Sequence, residues 1–194
     1  MHVQQQKVRG QLRTPSEGLL PGFTKPHAKR HKKNTGGRVM VLAGISEDRV
    51  AVWEEVRGRW NGARASEMYL GPIAKFLKAK YGNLPSYLIV EDNDPTGFKS
   101  KAGLAAKEVA KIRAMRWPRY SPDLMPLDFA LWANINARMD ACAPRGKETV
   151  AAFKLRLRRV ALSTPRAAVR GMIDRMRAKA QEIYDADGGD IRTD

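Results

Sequence analysis

The pattern of hydrophobic and polar positions predicts alternating strands and helices from Arg38 onward. A branched apolar run at 38–45 and an alternating run at 49–56, separated by a polar turn, predict a β-hairpin. Shorter apolar runs predict strands at 86–92 and 115–117. Apolar residues at helical spacing predict helices over 65–81, 99–114, 127–139, 147–162 and 165–184. This order predicts an α/β fold in which helices flank a mixed sheet.

Residues 1–37 differ from the rest of the chain. They are basic, punctuated by Gly and Pro, and hold Glu17 as their one acid, which is typical of an extended arm with little core. The densest basic stretch is Lys29-Arg30-His31-Lys32-Lys33, which fits either a phosphate-contacting or nuclear-import patch or a solvated tail. We therefore divide the chain into an arm (1–37), a core (38–142) and a basic helical C-terminal part of the same domain (143–194).

The net charge changes the picture of the partner. The 194 residues include 36 Lys and Arg against 20 Asp and Glu, a formal charge of +16. Such an excess favours a polyanion, because each Lys or Arg that pairs with a phosphate releases condensed counterions. Cys142 is the one cysteine, which excludes a disulfide framework and indicates a reducing, intracellular compartment. No apolar run approaches the ~20 residues that a membrane span needs.

Two carboxylates are the candidate chemistry. Asp92 follows the strand predicted at 86–92, and strand ends in α/β sheets are where ligands gather. Asp128 opens the helix predicted at 127–139, where an acid also favours the positive end of the helix dipole. Asp123, in a Ser-Pro-Asp loop, has an equally structural explanation as a capping residue. Spacing alone therefore leaves a shared metal site and two structural roles open.

The order of several motifs resembles that of the Tc1/mariner transposase superfamily. Tyr120-Ser121-Pro122-Asp123-Leu124, followed by Pro126 and Asp128, resembles the signature "YSPDL-x-P-x-(D/E)". Asp92-Asn93 resembles the family's "DN" motif, the strand at 38–46 its "vmvwGxis" strand, and Ala186-Asp187-Gly188-Gly189 its closing "nGG". The match runs in order from about residue 38 to 190, and the Ser-Pro-Asp-Leu block is its most specific part.

The resemblance implies a ribonuclease-H-like fold and metal-dependent cleavage and strand transfer at phosphodiesters. In that family three acids hold two Mg²⁺ or Mn²⁺ ions. By position, Asp92 matches the second acid and Asp128 the third, so both are the expected catalytic and metal-binding residues. We expect no small-molecule cofactor. Nucleic-acid contacts are expected at Lys29, Arg30, Lys32, Lys33, Lys99, Lys101 and Arg119.

Three departures separate the chain from the family pattern. No strand ending in an acid precedes Arg38, so the first acid and its strand are expected to be missing; Asp48, in the hairpin turn, lies on the wrong element. Gly97 replaces the His that usually follows "DN", and Asp94 replaces a small residue. The helix-turn-helix modules that read transposon ends are also expected to be missing. The chain is therefore predicted to be a truncated or inactive transposase-derived domain that binds DNA in the nucleus.

Two other functions stay open on the sequence. One is an active endonuclease or transposase fragment whose first acid lies upstream. The other is a structural basic protein bound to RNA or chromatin, which the basic arm and basic C-terminal helices favour. The apolar stripes Phe153/Leu157/Val160 and Val169/Met172/Ile173/Met176 predict core packing, with a homodimer interface as the alternative.

Overall fold

A computed structural model describes residues 39–118 and 121–185. Strands in these two ranges are β1 (Val41–Ser46), β2 (Arg49–Glu55), β3 (Tyr87–Ile89) and β4 (Ile112–Ala114). The α-helices are α1 (Gly62–Met68), α2 (Ala74–Tyr81), α3 (Lys101–Val109), α4 (Trp132–Ala141), α5 (Val150–Leu162) and α6 (Arg166–Asp185). Two π-helical turns cover Tyr69–Ile73 and Leu127–Leu131, and a 3₁₀ turn covers Pro122–Leu124. The predicted α/β class is confirmed.

The strands pair as two small sheets within these ranges. β1 and β2 form the predicted antiparallel hairpin, with Val41 opposite Glu55 and Ser46 opposite Arg49. β3 and β4 pair in parallel, with Tyr87 opposite Ile112. Antiparallel and parallel pairing, which a mixed sheet combines, are thus both present. In the described residues, however, no strand joins β1 to β3. The expectation that the opening strand is missing falls on residues before 39, which lie outside the described ranges, and stays a prediction.

The hairpin lies between two hydrophobic clusters because successive strand residues face opposite sides. One face places Val41 and Trp53 against side chains of α4, α5 and α6. The other face places Leu42 in a cluster with Tyr69 and Tyr87, from the first π-helical turn and β3. The helices therefore cover both faces of β1 and β2, and the second cluster links the two sheets through one helical layer.

The C-terminal helices belong to the first cluster. Leu157 and Val160 of α5 and Val169 and Met172 of α6 are buried within the chain. The core-packing interpretation of both stripes is confirmed for these residues. Nothing in this packing tests the homodimer or the domain boundary at residue 142, and both stay predictions.

Local sequence explains where the helices start and break. α1 begins after Asn61, whose side chain accepts a hydrogen bond from the Arg64 backbone N–H at 3.0 Å. The helix predicted over 65–81 is interrupted by the π-helical turn that contains Pro72, since proline cannot donate the regular helical hydrogen bond. α2 ends at Gly82, whose φ of 72° favours glycine.

The sequence reading was wrong between residues 110 and 117. The helix predicted over 99–114 ends at Val109, and the strand predicted at 115–117 is instead β4, three residues earlier. Lys111 turns the chain with a φ of 57°. Ile112 then enters the second cluster beside β3, so a long-range contact overrides the local helical pattern. In the ranges that the structure describes, no helix is long and apolar enough to cross a membrane.

Candidate functional site

The Asp92-Asn93 segment lies where the parallel strands end, beside the chain that leads toward the signature loop. β3 and β4 run in the same direction, so their carboxyl ends share one edge, the usual ligand edge of an α/β sheet. The Asn93 side chain donates hydrogen bonds to the backbone carbonyls of Trp117, at 2.9 Å, and Pro118, at 3.2 Å. This amide therefore ties the "DN" segment directly to the chain that leads into the signature loop.

Asp92 is half-buried just beyond β3. Its Oδ1 accepts a hydrogen bond from the Asp94 backbone N–H at 3.1 Å, an Asx-type turn that directs the chain away from the sheet. The second carboxylate oxygen has no protein donor among the described residues. A half-buried carboxylate of this kind presents a hard oxygen of the type that Mg²⁺ and Mn²⁺ prefer.

Asp128 lies on the second π-helical turn and is exposed. Pro126 precedes the turn, and the Asp128 backbone N–H donates to the Met125 carbonyl at 2.8 Å. The turn buries Leu127 and Leu131 in the first cluster while it leaves Asp128 outside. Single π-helical turns of this kind occur often at functional sites. Core packing thus holds the backbone of Asp128 in place and leaves its carboxylate at the surface.

The neighbouring acids are committed to other contacts. Within residues 39–118 and 121–185, no three His, Cys, Asp or Glu side chains are grouped to hold a metal ion. Glu91 is buried in an ion pair with Lys107, and Asp94 accepts several hydrogen bonds. Asp48, in the hairpin turn, pairs with Arg49 of β2 and Arg166 of α6. These contacts occupy the three carboxylates within the protein. The roles of Asp92 and Asp128 stay a prediction.

A buried triad lies directly beside Asp92 and was missed by the sequence reading. Glu91, Lys107 and Tyr69 are 7%, 4% and 1% exposed. Lys107 and the Tyr69 hydroxyl each donate to a different oxygen of Glu91, and the ammonium lies 5.2 Å from the Tyr69 ring centroid. Burial, together with the Glu91 charge, raises the pKa of Tyr69 well above its usual value. The triad therefore keeps Tyr69 protonated and anchors the end of β3 to α3.

A signal for this triad was present in the sequence. Lys107 follows Gly103 and Ala106 at helical spacing on the buried face of α3. A lysine on such a face requires a buried partner. Only the fold identifies that partner as Glu91, sixteen residues away.

Asp94 organises the loop that follows Asp92. Its carboxylate accepts hydrogen bonds from the Trp60 indole N–H at 2.7 Å and from the Gly97 backbone N–H at 2.7 Å. A Cβ on Gly97 would lie 2.3 Å from the Trp60 indole nitrogen, so residue 97 has no room for a side chain while Trp60 stays in place. The indole therefore explains both departures from the "DN" motif: Asp94 holds it, and Gly97 makes space for it.

The Asp94 hydrogen bonds predict a specific pH dependence. Burial raises the pKa of Asp94, but the hydrogen bonds from Thr96, Trp60 and Gly97 outweigh burial and hold this pKa below its ordinary value. A lowered folded-state pKa contributes stability above the unfolded value of about 3.9, and this contribution is lost as the pH falls through the folded-state pKa. We expect Asp94→Asn to lower Tm at pH 7, with a difference from wild type that shrinks below about pH 4.

Thermal unfolding followed by circular dichroism between pH 7 and pH 3 measures this difference. Asp140→Asn, at an exposed position of α4, is the control and should leave Tm within error of wild type. If Asp94→Asn lowers Tm by the same amount at every pH, the ionised Asp94 carboxylate is not the source of the stability.

The predicted nucleic-acid contacts are only partly within the described residues. Lys99 and Lys101 are exposed at the start of α3, a few residues beyond Asp92. The remaining predicted contacts, Lys29, Arg30, Lys32, Lys33 and Arg119, lie outside the described residues.

Comparison with solved structures places this fold. The crystal structure of the catalytic domain of the Mos1 mariner transposase superposes with a TM-score of 0.68 at 18% identity, covering 80% of this chain and 76% of that chain. The same domain solved with Raltegravir and Mg gives a TM-score of 0.67 at 18% identity, over 80% of this chain and 78% of that one. The fold is that of a mariner transposase catalytic domain.

Sequence comparison agrees with the motif reading. The Tcb1 transposase of Caenorhabditis briggsae is 23% identical over 159 residues, which covers 80% of this chain and 55% of the transposase. The chain thus spans about half the length of this curated relative. No protein-family model matches. The pre-cleavage Mos1 transpososome superposes with a TM-score of 0.70 at 17% identity, over 97% of this chain and 52% of that chain. The resemblance to Tc1/mariner transposases and the ribonuclease-H-like fold class are confirmed.

Proposed function

We propose that this chain is a transposase-derived DNA-binding domain that binds one divalent cation weakly through Asp92 and Asp128 and does not cleave DNA by itself. The observation that carries the proposal is the shared strand edge, where Asn93 ties the Asp92 segment to the chain that leads to Asp128. Glu91 and Asp94, the acids on either side of the Asp92-Asn93 segment, are engaged in other contacts. The charge of +16 supports a nucleic-acid partner.

The donor set suits one metal ion better than two. Two carboxylates and several waters satisfy the octahedral shell of Mg²⁺, whereas a two-metal clamp needs further acidic ligands to bridge both ions. A bound cation would supply a Lewis acid for a phosphoryl oxygen. The comparison structures include Mos1 transposase domains solved with Mg and with Mn, and Mos1 paired-end complexes with DNA. These properties of Mos1 support, for this chain, a divalent cation and a DNA partner.

Metal binding by Asp92 and Asp128 predicts a distinct pattern among variants. We expect Mn²⁺ affinity, measured by isothermal titration calorimetry, to fall by at least about tenfold in Asp92→Asn and in Asp128→Asn, because each removes a direct ligand. Asp123→Asn changes a half-buried acid of the 3₁₀ turn that is not an expected ligand, and it should bind Mn²⁺ like wild type. An equal loss in all three variants would point to a diffuse charge effect and contradict the assignment.

Cleavage tests the inactive part of the proposal. Incubation of the purified protein with supercoiled plasmid and Mn²⁺ is expected to give no nicking above the protein-free control. Nicking that disappears in Asp92→Ala would overturn this part and favour the alternative, an active nuclease whose first acid comes from residues beyond the described ranges or from a longer polypeptide. Such an enzyme would still use Asp92 and Asp128.

A further inference from the structure

Helix α6 carries a line of arginines along one flank. Val169 and Met172 form its buried face. At 3.6 residues per turn, Arg166, Arg170 and Arg177 fall within a narrow sector beside that face, and all three are exposed. We call these residues the arginine row. With a rise of 1.5 Å per residue the row extends about 16 Å, a length comparable to about five base pairs of DNA.

The arginine row and Lys179 lie on opposite flanks of α6. Arg166 approaches Asp48 of the β1–β2 turn at 3.7 Å, which places that turn beside the row. Lys179 emerges on the other flank, with its ammonium 6.0 Å from the Phe129 ring centroid. Phe129 follows Asp128 directly on the π-helical turn. A polyanion that contacts the row therefore binds on the flank of α6 away from Phe129, the neighbour of Asp128.

The charge of the arginine row is only partly balanced by the protein. Burial raises the pKa of Asp48, but the Arg49 hydrogen bond and the charges of Arg166, Arg49 and Arg170 outweigh burial and hold this pKa below its ordinary value. Asp48 therefore remains ionised and offsets part of the charge at one end of the row. Across the described ranges, neither Arg170 nor Arg177 forms a salt bridge, although Asp174 lies between them on the helix. In the described ranges these two exposed guanidinium groups are thus not held by a salt bridge.

We propose that the arginine row binds the phosphate backbone of duplex DNA at this second surface. The inference rests on the DNA-binding part of the proposed function and is independent of the metal site. Guanidinium groups suit this contact because their planar donors match phosphate oxygens. A row on a straight helix contacts successive phosphates without reading base edges, so the binding is independent of DNA sequence.

The salt dependence of DNA binding tests the row. Affinity for a fluorescein-labelled 30-base-pair duplex is measured by anisotropy from 50 to 300 mM KCl in EDTA, so that no divalent cation contributes. Each phosphate contact adds about 0.9 to the slope of log K against log salt. We expect Arg170→Gln/Arg177→Gln to reduce the slope by about 1.8 and the affinity at 0.1 M salt by about 10- to 100-fold.

A matched double variant separates the row from overall charge. Lys75→Gln/Lys78→Gln removes the same charge from exposed positions of α2, and we expect it to leave the slope within error of wild type. Equal slopes in the two double variants would overturn the proposal, and so would a row variant that binds like wild type. A larger effect of the row variant on hairpin RNA than on duplex DNA would overturn the assignment to DNA.

The outcomes also separate this inference from the proposed function. Asp92→Asn and Asp128→Asn could leave Mn²⁺ binding unchanged while the row variant shows a smaller slope of log K against log salt. That result would refute the metal site and support DNA binding by the row. If those variants lose Mn²⁺ and the row variant behaves like the α2 control, the row is wrong and the metal site stands. A wild-type protein without affinity for duplex DNA would refute the row and the DNA-binding function together.

Discussion

Replacement of Lys107 with Met is expected to lower the free energy of unfolding by about 3–5 kcal/mol, the usual cost of leaving a buried charge without its partner. Lys107 and Glu91 have side chains that are 5% and 6% exposed, so water cannot solvate the carboxylate that remains. Methionine retains the length and the apolar part of the lysine side chain. The decrease in the free energy of unfolding therefore comes mainly from the missing charge and hydrogen bond and less from a cavity. Urea unfolding followed by tryptophan fluorescence measures it.

A double variant distinguishes this cause from packing. Glu91→Gln/Lys107→Met removes both charges, and most of the stability should return, since a buried ion pair replaced by uncharged residues of similar volume is often close to neutral. Lys101→Met changes an exposed residue of α3 and should cost less than about 0.5 kcal/mol. A Lys107→Met protein within 1 kcal/mol of wild type would contradict a charged pair at this position.

Replacement of Gly97 with Ala is the second large effect, with an expected loss of about 2.5–6 kcal/mol. The new Cβ would lie 2.3 Å from Nε1 and 2.4 Å from Cε2 of Trp60. The rigid indole ring cannot relieve this overlap by a small rotation, as the end of a flexible side chain could. Overpacking of this kind costs about 1–3 kcal/mol. Displacement of the indole also breaks its 2.7 Å hydrogen bond to Asp94, which adds about 1.5–3 kcal/mol for a charged acceptor.

Gly146→Ala is the control, because no heavy atom lies within 4 Å of a Cβ built there and its φ is not positive. We expect its midpoint in urea to match wild type within error. Trp60→Phe/Gly97→Ala removes the clashing part of the ring, so its total loss should be smaller than the sum of the two single losses. If the stability losses of the two single variants add up in the double variant, the side chains at positions 60 and 97 are not in contact.

Particular residues show how far the sequence could lead. The hairpin was predictable because a polar turn separates an apolar run, 38–45, from a run of alternating apolar and polar residues, 49–56. α5 and α6 followed from their apolar stripes, although Thr149 rather than Lys147 sets the start of α5 through its side-chain cap. The position of β4 was not predictable, since Ile112 continues the helical spacing of α3 and leaves it only because β3 is available as a partner.

The candidate site divides in the same way. Asp92 and Asp128 were identified from their motifs, and their roles stay a prediction. The contacts around them were not predictable. The pairing of Glu91 with Lys107, of Asp94 with Trp60, and of Asn93 with the Trp117 carbonyl each joins residues between 16 and 34 positions apart.

The sequence by itself determined the fold class, the basic character and the two candidate acids, because hydrophobic periodicity, charge and short motifs are local properties of the chain. Only the tertiary structure decided which carboxylates are engaged elsewhere, why residue 97 is glycine, and on which flank of α6 the arginine row lies. Those features depend on which distant side chains the core brings together. A buried charge or a close ring contact exists only after the helices have packed on the two faces of the hairpin.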